Sequence, residues 1–117
     1  MREQPINDQA ILRMDILEMI TTRIAEVLHP QQIILFGSWA REEQDAHSDI
    51  DLLIVQESDL PRPQRYAQVR RLFWGMGVPL DILVYTPEEF ARYRDVPGSF
   101  THTVAREGKV LYAQSGA

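Results

Sequence analysis

The sequence predicts an α/β (α+β) fold, a small mixed β-sheet of three to four strands flanked by helices. Two observations carry that expectation. Three short runs rich in branched and aromatic residues, Ile33–Phe36, Ile50–Val55 and Leu80–Tyr85, have the length and composition of strands. The longer segments between and around them step apolar residues by three and four, or open on helix-capping signals. The 117 residues fit a single domain over 1–117, because cores of roughly 100–150 residues are the commonest size.

The first element is a helix from Asp8 to Leu28, with Ala10, Met14, Leu17, Ile20, Ile24 and Leu28 on one face. Asn7 or Asp8 can cap it, and Pro30 lies just beyond its end. The strand Ile33–Phe36 closes on Gly37. Ser38 to Glu43 is expected to form a short helix and Gln44 to Ser48 a polar loop before the second strand. Ser58 and Asp59 offer caps for a helix running through Tyr66, Val69 and Phe73, ended by Gly75 and Gly77. After the third strand, Thr86-Pro87-Glu88-Glu89 is a capping box with proline at the first helical position. Pro97-Gly98-Ser99 breaks the chain again. Phe100 to Glu107 then reads as a last helix, and Val110-Leu111-Tyr112 as an edge strand.

Composition narrows the classes of function. No apolar run approaches the roughly 20 residues that span a bilayer, and no apolar stretch follows the first residues as in a signal peptide. No membrane association and a cytoplasmic location are the expectation. The absence of cysteine excludes disulfides and thiolate zinc sites. A net charge of -5 argues against direct nucleic-acid binding. A nucleotide substrate stays possible, because a metal ion can supply positive charge. Lys109 is the one lysine among twelve basic residues, so a lysine-dependent phosphate loop is not expected.

The chemistry gathers on the second and third strands. Asp49 and Asp51 are two residues apart, so a strand points both side chains the same way. Two adjacent carboxylates repel, and either one protonates or a cation sits between them. Mg²⁺ shared with phosphates takes oxygen ligands of this kind. Taken alone, the pair reads equally as solvated acids at a strand end. Asp81 adds a third acid, flanked by Leu80 and Ile82 in an apolar strand. If the two strands are neighbours, all three carboxylates converge, as a two-metal phosphoryl-transfer centre requires. The other reading of Asp81 is an acid held by an arginine. Gly37-Ser38 is either a plain helix start or a place where backbone and hydroxyl approach a phosphate.

Gly37-Ser38-Trp39-Ala40-Arg41, followed after a short loop by Ser48-Asp49-Ile50-Asp51-Leu52, resembles the signature of the DNA polymerase β-like nucleotidyltransferase superfamily. The chain is most similar to the minimal nucleotidyltransferases, often antitoxins paired with HEPN-domain toxins. Asp81 falls at the third carboxylate of that family, and Glu107-Gly108-Lys109-Val110-Leu111-Tyr112 resembles its C-terminal segment. The resemblance runs from Ile33 to Tyr112. It implies the nucleotidyltransferase fold, with Asp49, Asp51 and Asp81 as catalytic residues and ligands of Mg²⁺, two ions in number. It implies ATP as substrate, with Gly37, Ser38, Arg41 and Ser48 binding the nucleotide. It also implies a cognate HEPN-domain toxin as partner, with AMP transferred to one of its tyrosines. The family commonly has glycine where this chain has Glu42, whose extra negative charge near the phosphate site either reduces activity or simply points to solvent.

Other residues keep two readings. Arg41 reaches a phosphate or a carboxylate, or forms a surface ion pair. His47 is a metal ligand or an exposed loop histidine. Arg62, Arg65, Arg70 and Arg71 form a solvated basic face or a partner surface. Trp39 packs on the sheet or lies near the nucleotide, whereas Phe73 and Trp74 are expected in the core. Two other functions compete: neutralisation of a toxin by contact alone, and transfer to a small molecule gripped by a separate subunit.

Overall fold

The computed structural model describes residues 8–45 and 47–114, and the side chains of 8–14 are not among what it describes. Asn7, and the side chains of Ala10 and Met14, therefore lie outside the described residues. The elements follow in the order α1 (Asp8–Leu28), β1 (Gln32–Phe36), α2 (Gly37–Ala40), β2 (Ile50–Val55), α3 (Arg62–Arg71), β3 (Leu80–Tyr85), α4 (Pro87–Arg94), α5 (Phe100–Glu107) and β4 (Lys109–Ala113). The four strands form one sheet in the order β3-β2-β1-β4. β1 runs antiparallel to β2 and β4, and β2 runs parallel to β3. The expected mixed sheet flanked by helices is what forms. Among the described residues no helix is long and apolar enough to cross a membrane.

Helices cover both faces of the sheet. On one face Ile20 and Ile24 of α1, Trp39 of α2, and Val69 with Phe73 pack on Ile33, Leu35, Leu52, Ile54, Ile82 and Val84. On the other, Phe90 of α4 and Val104 of α5 pack on Ile34, Leu53 and Val55. A strand covered on both faces loses the alternation of a half-exposed one. Leu52, Leu53, Ile54 and Val55 are accordingly all buried. Each fully buried Ile or Leu side chain contributes about 1.5–3 kcal/mol.

Local chemistry sets the ends of the elements. α1 stops at His29, whose φ of 49° is the left-handed turn that ends many helices, and Pro30 follows buried. α3 begins after Pro61 with no side-chain cap, so Ser58 and Asp59 do not serve it. Ser58 instead accepts from the Leu60 amide at 3.1 Å. The capping box of α4 is complete, with Thr86 and Glu89 each bonding the other's backbone N–H. Gly108 joins α5 to β4, and a β-carbon there would press on Ile34 and the Val104 carbonyl, each 2.6 Å away. The missing side chain lets α5 close onto β1.

Two residues depart from expectation. Trp74 is 83% exposed rather than in the core, while its neighbour Phe73 is buried. α3 ends at Arg71, and the turns after it carry Phe73 inward and Trp74 outward. Arg65 is buried rather than solvated. Its Nε donates to Leu60 O at 2.7 Å, and its Nη1 to Val84 O at 3.2 Å and to Glu89 Oε1 at 2.8 Å. One guanidinium thus ties α3, the end of β3 and the cap of α4 together. Arg62 adds a contact over the Tyr85 ring, 4.8 Å from its centroid.

Burial alone would raise the Glu89 carboxyl. The Thr86 amide, Arg65 and Arg62 outweigh it and hold the group below its ordinary value. A carboxylate lowered in the folded state adds stability in full above its unfolded value, near 4.5. That stability is lost as pH falls through the lower folded value. Glu89→Gln is expected to cost about 1–3 kcal/mol at pH 7, because Arg65 is left buried without its anion. Urea unfolding at pH 7 and pH 3.5 checks this: the gap to the parent protein should narrow at the lower pH.

Candidate active site

The β2–β3 pairing brings the acids together. In the parallel register Asp51 is opposite Asp81, and in the antiparallel register Asp51 is opposite Phe36. Asp49 lies one residue before β2 rather than within it. Asp51 and Asp81 point to the face that carries Leu53 and Leu83, at the end of the sheet where β2 and β3 begin. Asp51 is half-buried, whereas Asp49 and Asp81 are exposed. Desolvation first, then the charges of Asp81 and Asp49, push the Asp51 carboxyl above its ordinary value, with Arg41 partly opposing them.

Gly37 is held against this group. Its φ of 74° is in the left-handed region, and a β-carbon would collide with the Asp51 carboxylate. β1 thus delivers a residue whose only side chain is hydrogen to the one position where Asp51 needs the room. α2 begins at Gly37, capped by no side chain, so Ser38 is inside the short helix rather than its cap. Trp39 is buried on the sheet, and its indole N–H donates to Ser48 O at 3.5 Å. That bond links α2 to the loop entering Asp49.

The loop is a self-bonded turn. The Asp45 amide donates to Ser48 Oγ at 2.9 Å, Ser48 Oγ donates to Asp45 Oδ1 at 3.3 Å, and the His47 amide donates to the same oxygen at 2.8 Å. The His47 amide foremost, then Ser48, hold the Asp45 carboxyl below its ordinary value. The Ser48 hydroxyl is therefore engaged with the turn, and His47 is exposed. Arg41 donates through Nε to Glu43 at 2.9 Å on the surface. Glu42 has a φ of 59°, in the left-handed region that favours glycine. Its carboxylate turns to Lys109, 3.0 Å away, so its charge is paired at the surface. Nothing local in the sequence signals that pairing, which spans 67 residues.

Among the described residues no three acid or imidazole side chains form a ready-made cage for a metal ion. The donor set nevertheless fits a hard divalent cation. It offers carboxylate oxygens of like charge, and burial together with the charges of Asp81 and Asp49 raises Asp51.

The contact between Gly37 and Asp51 makes a measurable coupling. Gly37→Ala is expected to destabilise the fold by about 1–3 kcal/mol through left-handed backbone and the collision. Made together with Asp51→Ala, it should cost clearly less than the sum of the two single changes. Urea unfolding of the four proteins in that cycle gives the coupling, and strict additivity would refute the steric link.

The sequence matches the family model described as "Polymerase beta, Nucleotidyltransferase" over residues 18–116. It is 37% identical over 82 residues to the "Putative protein adenylyltransferase MJ0604" of Methanocaldococcus jannaschii, covering 70% of this chain and 78% of that protein. The crystal structure of a "putative nucleotidyltransferase" from Sulfolobus solfataricus superposes with a TM-score of 0.66 at 20% identity, over 100% of this chain and 96% of the other. A chain of a toxin-antitoxin crystal structure with AMP-PNP superposes at 0.60 with 21% identity, over 84% and 73%. One from a mutant of the toxin-antitoxin MntA-HpeT superposes at 0.53 with 20% identity, over 85% and 73%. At such identity these structures share the fold. With its acids and Gly37-Ser38 inside the matched span, the chain belongs to the polymerase beta nucleotidyltransferase family.

Proposed function

We propose that this chain transfers AMP from ATP to a tyrosine of a cognate HEPN-domain toxin and acts as that toxin's antitoxin. The observation that carries the reading is Asp51 opposite Asp81 beside Gly37, with Asp49 next to them. The relative from Methanocaldococcus jannaschii bears the name of a protein adenylyltransferase, and two proteins of similar fold come from toxin-antitoxin complexes, one with AMP-PNP.

Asp49, Asp51 and Asp81 would hold Mg²⁺, as two ions. When bound, the ions supply positive charge against the phosphate oxygens. Gly37 and Ser38 hold the triphosphate, with Arg41 and Ser48 at the edge of the same site. Asp81 is exposed at the start of its strand and takes the proton of the attacking hydroxyl. A tyrosine hydroxyl, with a pKa near ~10, is acidic enough for that transfer. Its oxygen bonds to the α-phosphorus as the α–β bridging bond breaks, and pyrophosphate leaves with the electron pair. The net charge of -5 disfavours an RNA acceptor. The modified tyrosine gains a bulky anion in place of a hydrogen-bond donor, which blocks an RNA-binding surface by size and charge.

Intact mass of a co-expressed HEPN-domain partner tests the reading. The partner should gain one or more AMP units with the parent chain, and none with Asp49→Asn and Asp51→Asn combined. The double variant should stay folded, since it removes repulsion. A tight complex whose partner stays unmodified in ATP and Mg²⁺ would favour neutralisation by contact alone.

Asp81→Asn separates binding from chemistry. It is expected to retain nucleotide binding while transfer falls about 100-fold or more. Titration of a non-hydrolysable ATP analogue beside the transfer assay checks this, and joint loss of both would make Asp81 chiefly a metal ligand.

A further inference from the structure

A cleft of about 190 Å³ opens between α2 and α5, with Gly37, the neighbour of Asp51, in its wall. Resting on the reading above that ATP is the donor, we propose that this cleft receives the nucleobase, with Phe100 as the surface on which it stacks. Phe100 is 45% exposed although it is a large apolar side chain at the start of α5. Its ring meets Phe36 edge to face, with centroids 5.4 Å apart and planes at 83°. That contact fixes the ring without burying it. Phe36 in turn is opposite Asp51 and precedes Gly37, which lines the same cleft, so the ring that Phe100 meets lies beside Asp51.

The polar rim bears on which base enters. Arg41, Thr103 and Glu107 line the cleft with the two aromatic rings. The Glu107 carboxylate can accept from an exocyclic amine, and Thr103 offers a hydroxyl. An aromatic floor with an acid at its wall suits a neutral, amine-bearing base such as adenine. The triphosphate stays on the side of Gly37. Stacking of a base on a phenyl ring tolerates any base, so preference for the amine falls to Glu107.

The test uses the whole chain with Mg²⁺ and two probes, a non-hydrolysable ATP analogue and inorganic tripolyphosphate, titrated by calorimetry. Phe100→Ala should weaken the ATP analogue about tenfold or more and leave tripolyphosphate unchanged. Phe100→Tyr should keep both. Glu107→Gln should narrow the preference for ATP over UTP, whose base has no exocyclic amine. Unchanged ATP binding in Phe100→Ala, or an equal loss of tripolyphosphate, overturns the cleft assignment alone. A parent chain that binds tripolyphosphate and no nucleoside triphosphate overturns the assignment and the ATP-donor reading together.

Discussion

Like charge placed on adjacent strands is the constraint on which the rest of this structure depends. Parallel pairing of β2 with β3 puts Asp51 opposite Asp81, and Asp49 follows from the turn just before. Repulsion among the three works against the fold, and Asp51 is desolvated as well. The stabilising interactions therefore lie elsewhere. Apolar packing fills both faces of the central strands, and the Arg65–Glu89 pair fastens the end of β3 opposite to Asp81. The sheet is firm at one end and charged at the other.

That division also assigns the helices. α1 and α3 cover the face away from the acids, with Trp39 reaching over from α2. α4 and α5 cover the face that Asp51 and Asp81 share, and Phe90 and Val104 pack on strand positions beyond the acids. Asp49 and Asp81 are exposed where β2 and β3 begin, and the cleft between α2 and α5 reaches Gly37 beside Asp51.

Periodicity and caps made most of the elements legible. β2, β3, α5 and the α4 capping box have the expected bounds, because each is set by neighbours in sequence. The pairing of Asp51 with Asp81 was legible only conditionally, since strand adjacency is a tertiary property. What could not be read involves partners far along the chain. Arg65 looks like one of four surface arginines until Leu60, Val84 and Glu89 surround it. Glu42 looks like an unwelcome charge until Lys109 meets it. Trp74 has the composition of a core residue, yet the turns after α3 aim it outward. Phe100 gave no signal of its own, because an aromatic at a helix start reads as packing.

The close approach of Gly37 to Asp51 bears on how such a chain can change over generations. While Asp51 is present, any side chain at position 37 is opposed both by the left-handed backbone and by the carboxylate that fills the space. A lineage that lost Asp51 to a smaller residue would lose half of that opposition. Substitutions at 37 would then accumulate under weaker selection. Restoring Asp51 afterwards would fail, since its space would be taken. Loss of the acid therefore behaves as a ratchet, and inactive descendants should differ from active ones at both positions together.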